Sequence, residues 1–154
     1  MITYQTSVIE EWVDYNGHLR DAFYLLIFSY ATDAFMARIG LASDDRANSG
    51  TSLFTLEAHI NYLHEVKRGA TVQVHTHIVG HDRKRVHLYH SLYEEHGDKP
   101  LAASEQMLLH VDLAGPKATV FSEQSSRLLA AFAHDQGILP AEPYLARVIA
   151  LPSL

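Results

Sequence analysis

Asp14-Tyr15-Asn16-Gly17-His18, running straight into the apolar segment from Leu19 to Gly40, is the stretch from which the rest of the chain can be read. A carboxylate, an amide, a glycine and an imidazole make a short polar turn, and Gly40 is a natural helix stop. The stretch therefore reads as a charged loop delivered onto a helix N-terminus. From Ala22 to Ile39 almost every residue is apolar. Ser29, Thr32 and Asp33 fall at i, i+3 and i+4, so they form one narrow polar stripe on a helix expected to be buried all round elsewhere. Such a helix needs wrapping.

The remaining sequence supplies strands. Residues 2–9 are rich in β-branched and aromatic types. Residues 42–50 are polar, with glycine and serine, and read as a loop. Residues 52–63 alternate, with Phe54, Leu56, Ala58, Ile60 and Tyr62 expected on the face toward the helix and Thr55, Glu57, His59 and Asn61 on the other. The same period recurs over 70–80 and 85–95, on either side of Gly80-His-Asp-Arg-Lys84, and from about Ala102 to Leu113 after the Gly97-Asp98 turn. Ser122 opens a second helix reaching Ala133, and 134–154, with Pro140, Pro143 and Pro152, reads as an extended tail. One strand, a long helix and four meandering strands predict a single α+β domain over 1–154, a curved antiparallel sheet around a central helix.

Composition narrows the function classes. There is no cysteine, hence no disulfide or thiolate chemistry, and no basic-then-apolar leader, so a cytoplasmic protein is expected. The apolar run Ala22–Ala31 is too short to span a membrane. A net charge of −6 disfavours nucleic-acid binding, while Lys67-Arg68 and Arg83-Lys84-Arg85 remain as local basic clusters for a phosphate.

The segments "EWVDYNGHLRDAFYLLIFSYATDAFMARIG" (11–40) and "LFTLEAHINYLHEVKRGATVQVHTHIVGHDRKRVHLYHSLYEE" (53–95) resemble the hotdog-fold acyl-CoA thioesterases of the 4-hydroxybenzoyl-CoA thioesterase type. The Asp-x-Asn-Gly-His loop before a long helix is the more specific feature; "NYLHEVKRGATVQV" is a looser one. Within that group, "WVDYNGHLRDAFYL" and "GHDRKRVHLYH" are most similar to thioesterases of carnitine breakdown, which cleave betainyl-CoA. The resemblance implies a hotdog domain that hydrolyses a short polar acyl-CoA, with CoA as part of the substrate and no separate cofactor. It also implies a homodimer or tetramer with sites at the subunit interface.

Thioester hydrolysis needs a carboxylate that attacks the carbonyl or deprotonates water, plus donors for the oxyanion. Asp14 is the candidate carboxylate, the role the resemblance gives it. The backbone N–H of Asp21 or Ala22 is the candidate donor, an interaction worth about 3 kcal/mol in other enzymes. Asn16 and His18 would orient substrate or carboxylate, and Gly17 would let the chain turn. A plainer account keeps Asp14 and Asn16 as Asx turns that cap the helix. Asp33 is a second candidate acid, or else a buried aspartate bonded to Ser29 or Thr32.

For the acyl group the candidates are Trp12, Tyr15, Tyr24, Phe54, Glu57 and Tyr62; for a betainyl cation, two or three of the aromatics would form a cage helped by Glu57 or Asp33. Arg83, Lys84 and Arg85 are the candidates for CoA phosphates, in competition with Lys67 and Arg68. Glu57, His59 and Asn61 either complete a neighbour's site or form an ordinary polar interface. The 11 histidines, with His75 and His77 on one strand face and His87 and His90 nearby, do not make a convincing metal set, and no metal is expected. The alternative functions are a hotdog module that binds acyl-CoA without turnover, a hotdog thioesterase for another short or aryl acyl-CoA, and a hotdog dehydratase or hydratase using Asp14 and His18.

Overall fold

The structure is a computed structural model and describes residues 1–137 and 143–151. Strand β1 (Ile2–Ser7) leads through a short 3-10 turn at Glu10–Trp12 to helix α1 (Asp21–Arg38) and helix α2 (Ser43–Ser49). Then come β2 (Thr51–Tyr62), β3 (Thr71–His81), β4 (Arg85–Glu94), β5 (Pro100–Asp112), the two-residue β6 (Lys117–Ala118) and helix α3 (Glu123–Asp135). The strands form one sheet in the order β1-β3-β4-β5-β2, every pair antiparallel, with β6 on the end of β5. Helix α1 touches both edge strands, β1 and β2, as well as β3, which a flat sheet of this width would not allow. The sheet curls around the helix, as expected from the period of the sequence.

Two apolar clusters stack along α1. Ile27, Phe28 and Ala31 pack on Val72, Val74, Leu92 and Ala102; Phe35, Met36 and Ile39 pack on Ile78, Val86, Leu88 and Leu108. Helix α3, opened by Ser122 whose hydroxyl accepts from the Ser125 N–H at 3.0 Å, closes the second cluster with Leu129 and Phe132. The Phe132 ring meets Phe35 edge-on at 5.2 Å.

A polar layer crosses the core. The buried His90 imidazole has its Nε2 3.1 Å from the Thr32 hydroxyl and its Nδ1 2.8 Å from that of Thr76, which in turn lies 2.6 Å from the Thr3 hydroxyl. Thr32 Oγ1 also reaches the Phe28 carbonyl at 3.0 Å and Gln106 Oε1 at 3.2 Å. A neutral imidazole satisfies this layer with one N–H and one acceptor, so helix, β1, β3, β4 and β5 are joined in one register.

Several expectations are corrected. Residues 43–49 are helical rather than loop, because the Asp45 carboxylate accepts the Ala42 N–H at 3.1 Å and Gly50, at φ +66°, ends the helix. The polar stripe of α1 splits: Thr32 is buried in the layer just described, while Ser29 and Asp33 are exposed together with Leu25 and Tyr30. Asp33 is therefore not a buried aspartate.

The face of β2 is broken as well. A bulge between Thr55 and Glu57 sets Thr55 opposite Leu108 but Glu57 opposite Met107, so Phe54 shares the outer face with Glu57, His59 and Asn61. The tail expected from 134 begins later, since His134 and Asp135 belong to α3, and 138–142 and 152–154 lie outside the described residues.

Burial pushes the His90 pKa down from 6.5 to about 3. Between those values the unfolded chain binds the proton that the folded one refuses, so stability falls as pH drops below 6.5. The expected loss from this group is at most about 1.4 kcal/mol per pH unit. His90→Gln should be less stable at pH 7 yet lose less between pH 7 and pH 5 than the parent, as read from urea unfolding at both values.

Candidate active site

The Asp14 loop is a closed hairpin held by its own backbone. Asp14 N–H donates to the His18 carbonyl at 2.9 Å, Gly17 N–H to the Asp14 carbonyl at 3.0 Å, and Gly17 turns at φ +78°, a conformation that costs other residues strain. The hairpin is strapped to the segment after β2: Leu19 N–H donates to the Val66 carbonyl at 2.8 Å and Arg68 N–H to the Gly17 carbonyl at 3.1 Å. Arg20 adds two bonds, N–H to the Trp12 carbonyl at 3.0 Å and Nε to the Val13 carbonyl at 3.1 Å.

Within this frame Asp14 Oδ1 accepts the N–H groups of Asn16 at 2.8 Å and His18 at 3.1 Å, while Oδ2 has no acceptor role among the described residues. The His18 N–H is the main reason the carboxyl sits below its usual pKa; the Asn16 N–H and the His18 and Arg20 charges add to it against a smaller desolvation effect. The group is ionised, with one oxygen fixed and the other free.

The capping reading needs amendment accordingly. Asp14 organises the loop, not the helix: α1 starts after Arg20, which makes no side-chain cap, and Asp21 uses its own Oδ1 for the Ala22 N–H at 2.8 Å. Phe23 N–H goes to the Arg20 carbonyl at 3.0 Å. Of the first three helical N–H groups only that of Asp21 is left without an acceptor among the described residues, which favours Asp21 over Ala22 as a donor to a ligand.

The other candidates divide. His18 stays at the site, its Nε2 3.5 Å from Glu65 Oε2, and the Asn16 side chain is exposed. Tyr24 and Tyr62 meet edge-on with ring centroids 5.2 Å apart, and line a cavity of about 260 Å³ with Leu19, Asp21, Leu63, His64 and Glu65. Trp12 instead stacks on Phe23 at 5.9 Å against the first core cluster, and Tyr15 is 94% exposed. Phe54 and Glu57 lie on the outer sheet face. The expected aromatic cage is thus not assembled from Trp12, Tyr15, Phe54 and Glu57 within one chain.

Glu57 is also exposed rather than a buried lone charge. It lines a smaller outer cavity with His59, His87 and Glu105, where His87 Nε2 pairs with Glu105 Oε1 at 2.7 Å and the tail's Ala146 N–H donates to Glu105 Oε2 at 2.7 Å. Asn61 shares that face without lining the cavity.

The basic clusters divide too. Lys67 and Arg68, the latter paired with Glu10, line a cavity of about 660 Å³ together with the Asp14 loop. Arg83, Lys84 and Arg85 form the β3–β4 turn, where Arg85 pairs with Asp82 at 2.8 Å and the Arg83 carbonyl accepts the Phe121 N–H at 2.9 Å. That turn adjoins the core cluster at the far end of α1, roughly 27 Å of helix away from the loop. Within one chain the triplet and Asp14 are not brought together. Among the described residues no group of three or more histidine or acidic side chains is arranged to hold a metal ion, and His87 and His90 face opposite sides of β4.

The reading from residues missed Glu65 and the Asp21 side chain. Both were in view, in "NYLHEV" and "HLRDAF", but only the fold, with its strap between Leu19 and Val66, brings them to the lining of one cavity.

The sequence profile of the Thioesterase-like superfamily matches residues 8–132, which include the loop, α1 and the whole sheet beyond β1. The chain belongs to this superfamily. A betainyl-CoA thioesterase of Pseudomonas aeruginosa is 57% identical over 152 residues, 99% of this chain and 96% of that protein. An L-carnitine dehydrogenase/betainyl-CoA thioesterase of Agrobacterium fabrum is 42% identical over 130 residues, 84% of this chain and 26% of that longer protein. A Staphylococcus aureus protein solved in complex with CoA superposes with a TM-score of 0.93 at 31% identity, covering 99% of this chain and 96% of that one.

For this thioesterase, Asp14→Asn should leave the melting temperature nearly unchanged, since the amide oxygen can still accept from Asn16 and His18. Turnover should fall by orders of magnitude, because an amide neither attacks nor deprotonates water. Parallel melting and thiol-release measurements check both halves.

Proposed function

We propose that this thioesterase hydrolyses betainyl-CoA with water to glycine betaine, free CoA and a proton, as a cytoplasmic step of carnitine breakdown. The observation that carries the reading is the ionised Asp14 carboxylate, with Oδ2 free, on a loop tied to the helix whose first N–H is unclaimed. It is supported by the near full-length similarity to a betainyl-CoA thioesterase. Asp14 Oδ2 either attacks the thioester carbonyl, giving an acyl anhydride that water then hydrolyses to free acid and Asp14, or takes a proton from the attacking water. The Asp21 N–H receives the developing oxyanion, and the CoA thiolate leaves with little need of an acid. Asn16 and His18 position substrate and carboxylate, and no cofactor beyond the substrate's own CoA takes part. A binding module without turnover would have no use for a carboxylate held ionised with one oxygen open.

The working unit is a homodimer, or a tetramer of two dimers, with shared sites. The exposed Leu25 and Tyr30 on α1 and the exposed Phe54, Leu56 and Tyr62 on the edge strand β2 support this. In such an assembly the phosphates of CoA meet Lys67 and Arg68, or the Arg83-Lys84-Arg85 turn of a neighbouring subunit. Sedimentation at micromolar concentration should give twice or four times the chain mass; a fully active monomer would refute the shared site.

Thiol release should give betainyl-CoA a higher specificity constant than benzoyl-CoA and short unbranched acyl-CoAs. If benzoyl-CoA leads, the substrate assignment is wrong and only general thioesterase activity stands.

A further inference from the structure

We infer that Tyr24, Tyr62, Asp21 and Glu65 form the subsite that receives a quaternary ammonium group on the acyl chain, and so set substrate choice. The inference rests on the reading above, that a thioester carbonyl is held at the Asp21 N–H. In a trimethylammonioacetyl thioester the cationic nitrogen is joined to the carbonyl carbon through one methylene. Wherever the carbonyl is bound, the cation must lie within a few bond lengths. Phe54 and Glu57 of the same chain lie on the outer face of the sheet and do not line the space beside the Asp21 N–H. The cavity that Asp21 itself lines is within reach, and its volume of about 260 Å³ leaves room for the headgroup.

The walls of that cavity suit a cation that cannot donate a hydrogen bond. The two tyrosine rings stand at 80° to each other and make an aromatic corner. Their hydroxyls are tied back: Tyr24 O–H donates to the His64 carbonyl at 3.3 Å and Tyr62 O–H to the Asp21 carbonyl at 3.4 Å. The exposed Tyr62 therefore offers ring surface rather than its hydroxyl to a ligand, with the buried Tyr24 behind it. Two carboxylates, Asp21 and Glu65, line the same space and no lysine or arginine does, among the described residues. Arg20, the nearest guanidinium in sequence, is turned toward the Val13 carbonyl. The phenols sense this environment: burial and then the Glu65 charge push Tyr24 up, and burial and then Asp21 push Tyr62 up, so both stay neutral. The neighbouring cavity along the loop carries Lys67 and Arg68 instead, so cation and phosphates are offered separate ends of the site.

The test compares betainyl-CoA with 3,3-dimethylbutanoyl-CoA, its uncharged isostere, in the full-length protein. The parent should favour the cation. Glu65→Gln and Tyr62→Leu should each lower the ratio of kcat/KM for betainyl-CoA to that for the isostere by about tenfold, while Tyr62→Phe, which keeps the ring, should retain the ratio. Tetramethylammonium should inhibit the parent competitively and the first two variants more weakly. Glu123→Gln, which removes the same charge from α3, controls for net charge. Melting curves confirm folding, and the exposed, isosteric Glu65→Gln carries the result if Tyr62→Leu is unstable. A parent that favours betainyl-CoA with an unchanged ratio in both variants overturns the subsite and leaves the substrate assignment standing. A parent with no preference for the cation removes both.

Discussion

A backbone N–H that no group among the described residues claims is the constraint on which this site depends. Helix starts leave several such donors, and most proteins give one to a serine, threonine, asparagine or aspartate at the cap position. Here the cap position is Arg20, whose side chain points back to Val13, and Asp21 spends its carboxylate on its neighbour Ala22. The Asp21 N–H keeps its partial positive charge for a ligand. That arrangement holds only while α1 cannot slide or fray. The polar layer through Thr32, His90 and Thr76 fixes its register, and the strap between Leu19 and Val66 fixes its entry. Core and site are in this sense one construction: the helix is anchored at its middle by hydroxyls and an imidazole so that its first residue can remain unsatisfied.

How much of this was legible in the sequence depended on whether a residue acts through its neighbours along the chain. Asp14, Asn16 and His18 interact over two to four residues, so the spacing alone exposed the loop, and the resemblance supplied its chemistry. The strands of the sheet were equally plain, because burial alternates along β3 with a period of two from Thr71 to Val79. What failed were the long-range consequences of a single irregularity. One extra residue near Leu56 inverts the faces of β2 before the bulge, and Phe54 joins Glu57 on the outer face instead of the side on which an ideal strand would put it beside Tyr62. No propensity at Leu56 announces that bulge.

A second kind of failure came from polarity. Thr32 counted as one member of a polar stripe, and nothing in its local sequence says that its partners are His90 and Gln106, more than fifty residues away. Conversely, the helix over 43–49 was hidden behind serine, asparagine and glycine, although the Asp45 carboxylate reaches back to the Ala42 N–H, a bond that reads clearly once Ala42 is taken as the boundary. The basic triplet after Gly80 is the instructive case for function. Its composition suggested phosphate binding, and its position at the opposite end of α1 from Asp14 means that any such role in catalysis is owed to a neighbouring subunit.

The division of labour at the helix start bears on how binding energy is used. Aromatic faces and carboxylates around a permanent cation act on a charge that does not change as the thioester is cleaved, so they stabilise bound substrate and transition state about equally. Their effect belongs in the choice between substrates at low concentration, not in the rate of the bound complex. In the proposed reaction the Asp21 N–H meets a carbonyl oxygen that becomes an oxyanion, and Asp14 gains or shares a bond only as the reaction proceeds, so these two groups would act on the rate. On the proposed subsite, discrimination against the neutral isostere therefore has one source, the attraction of the carboxylates and the aromatic ring for a charge that the isostere lacks, and it is read in kcat/KM rather than in kcat.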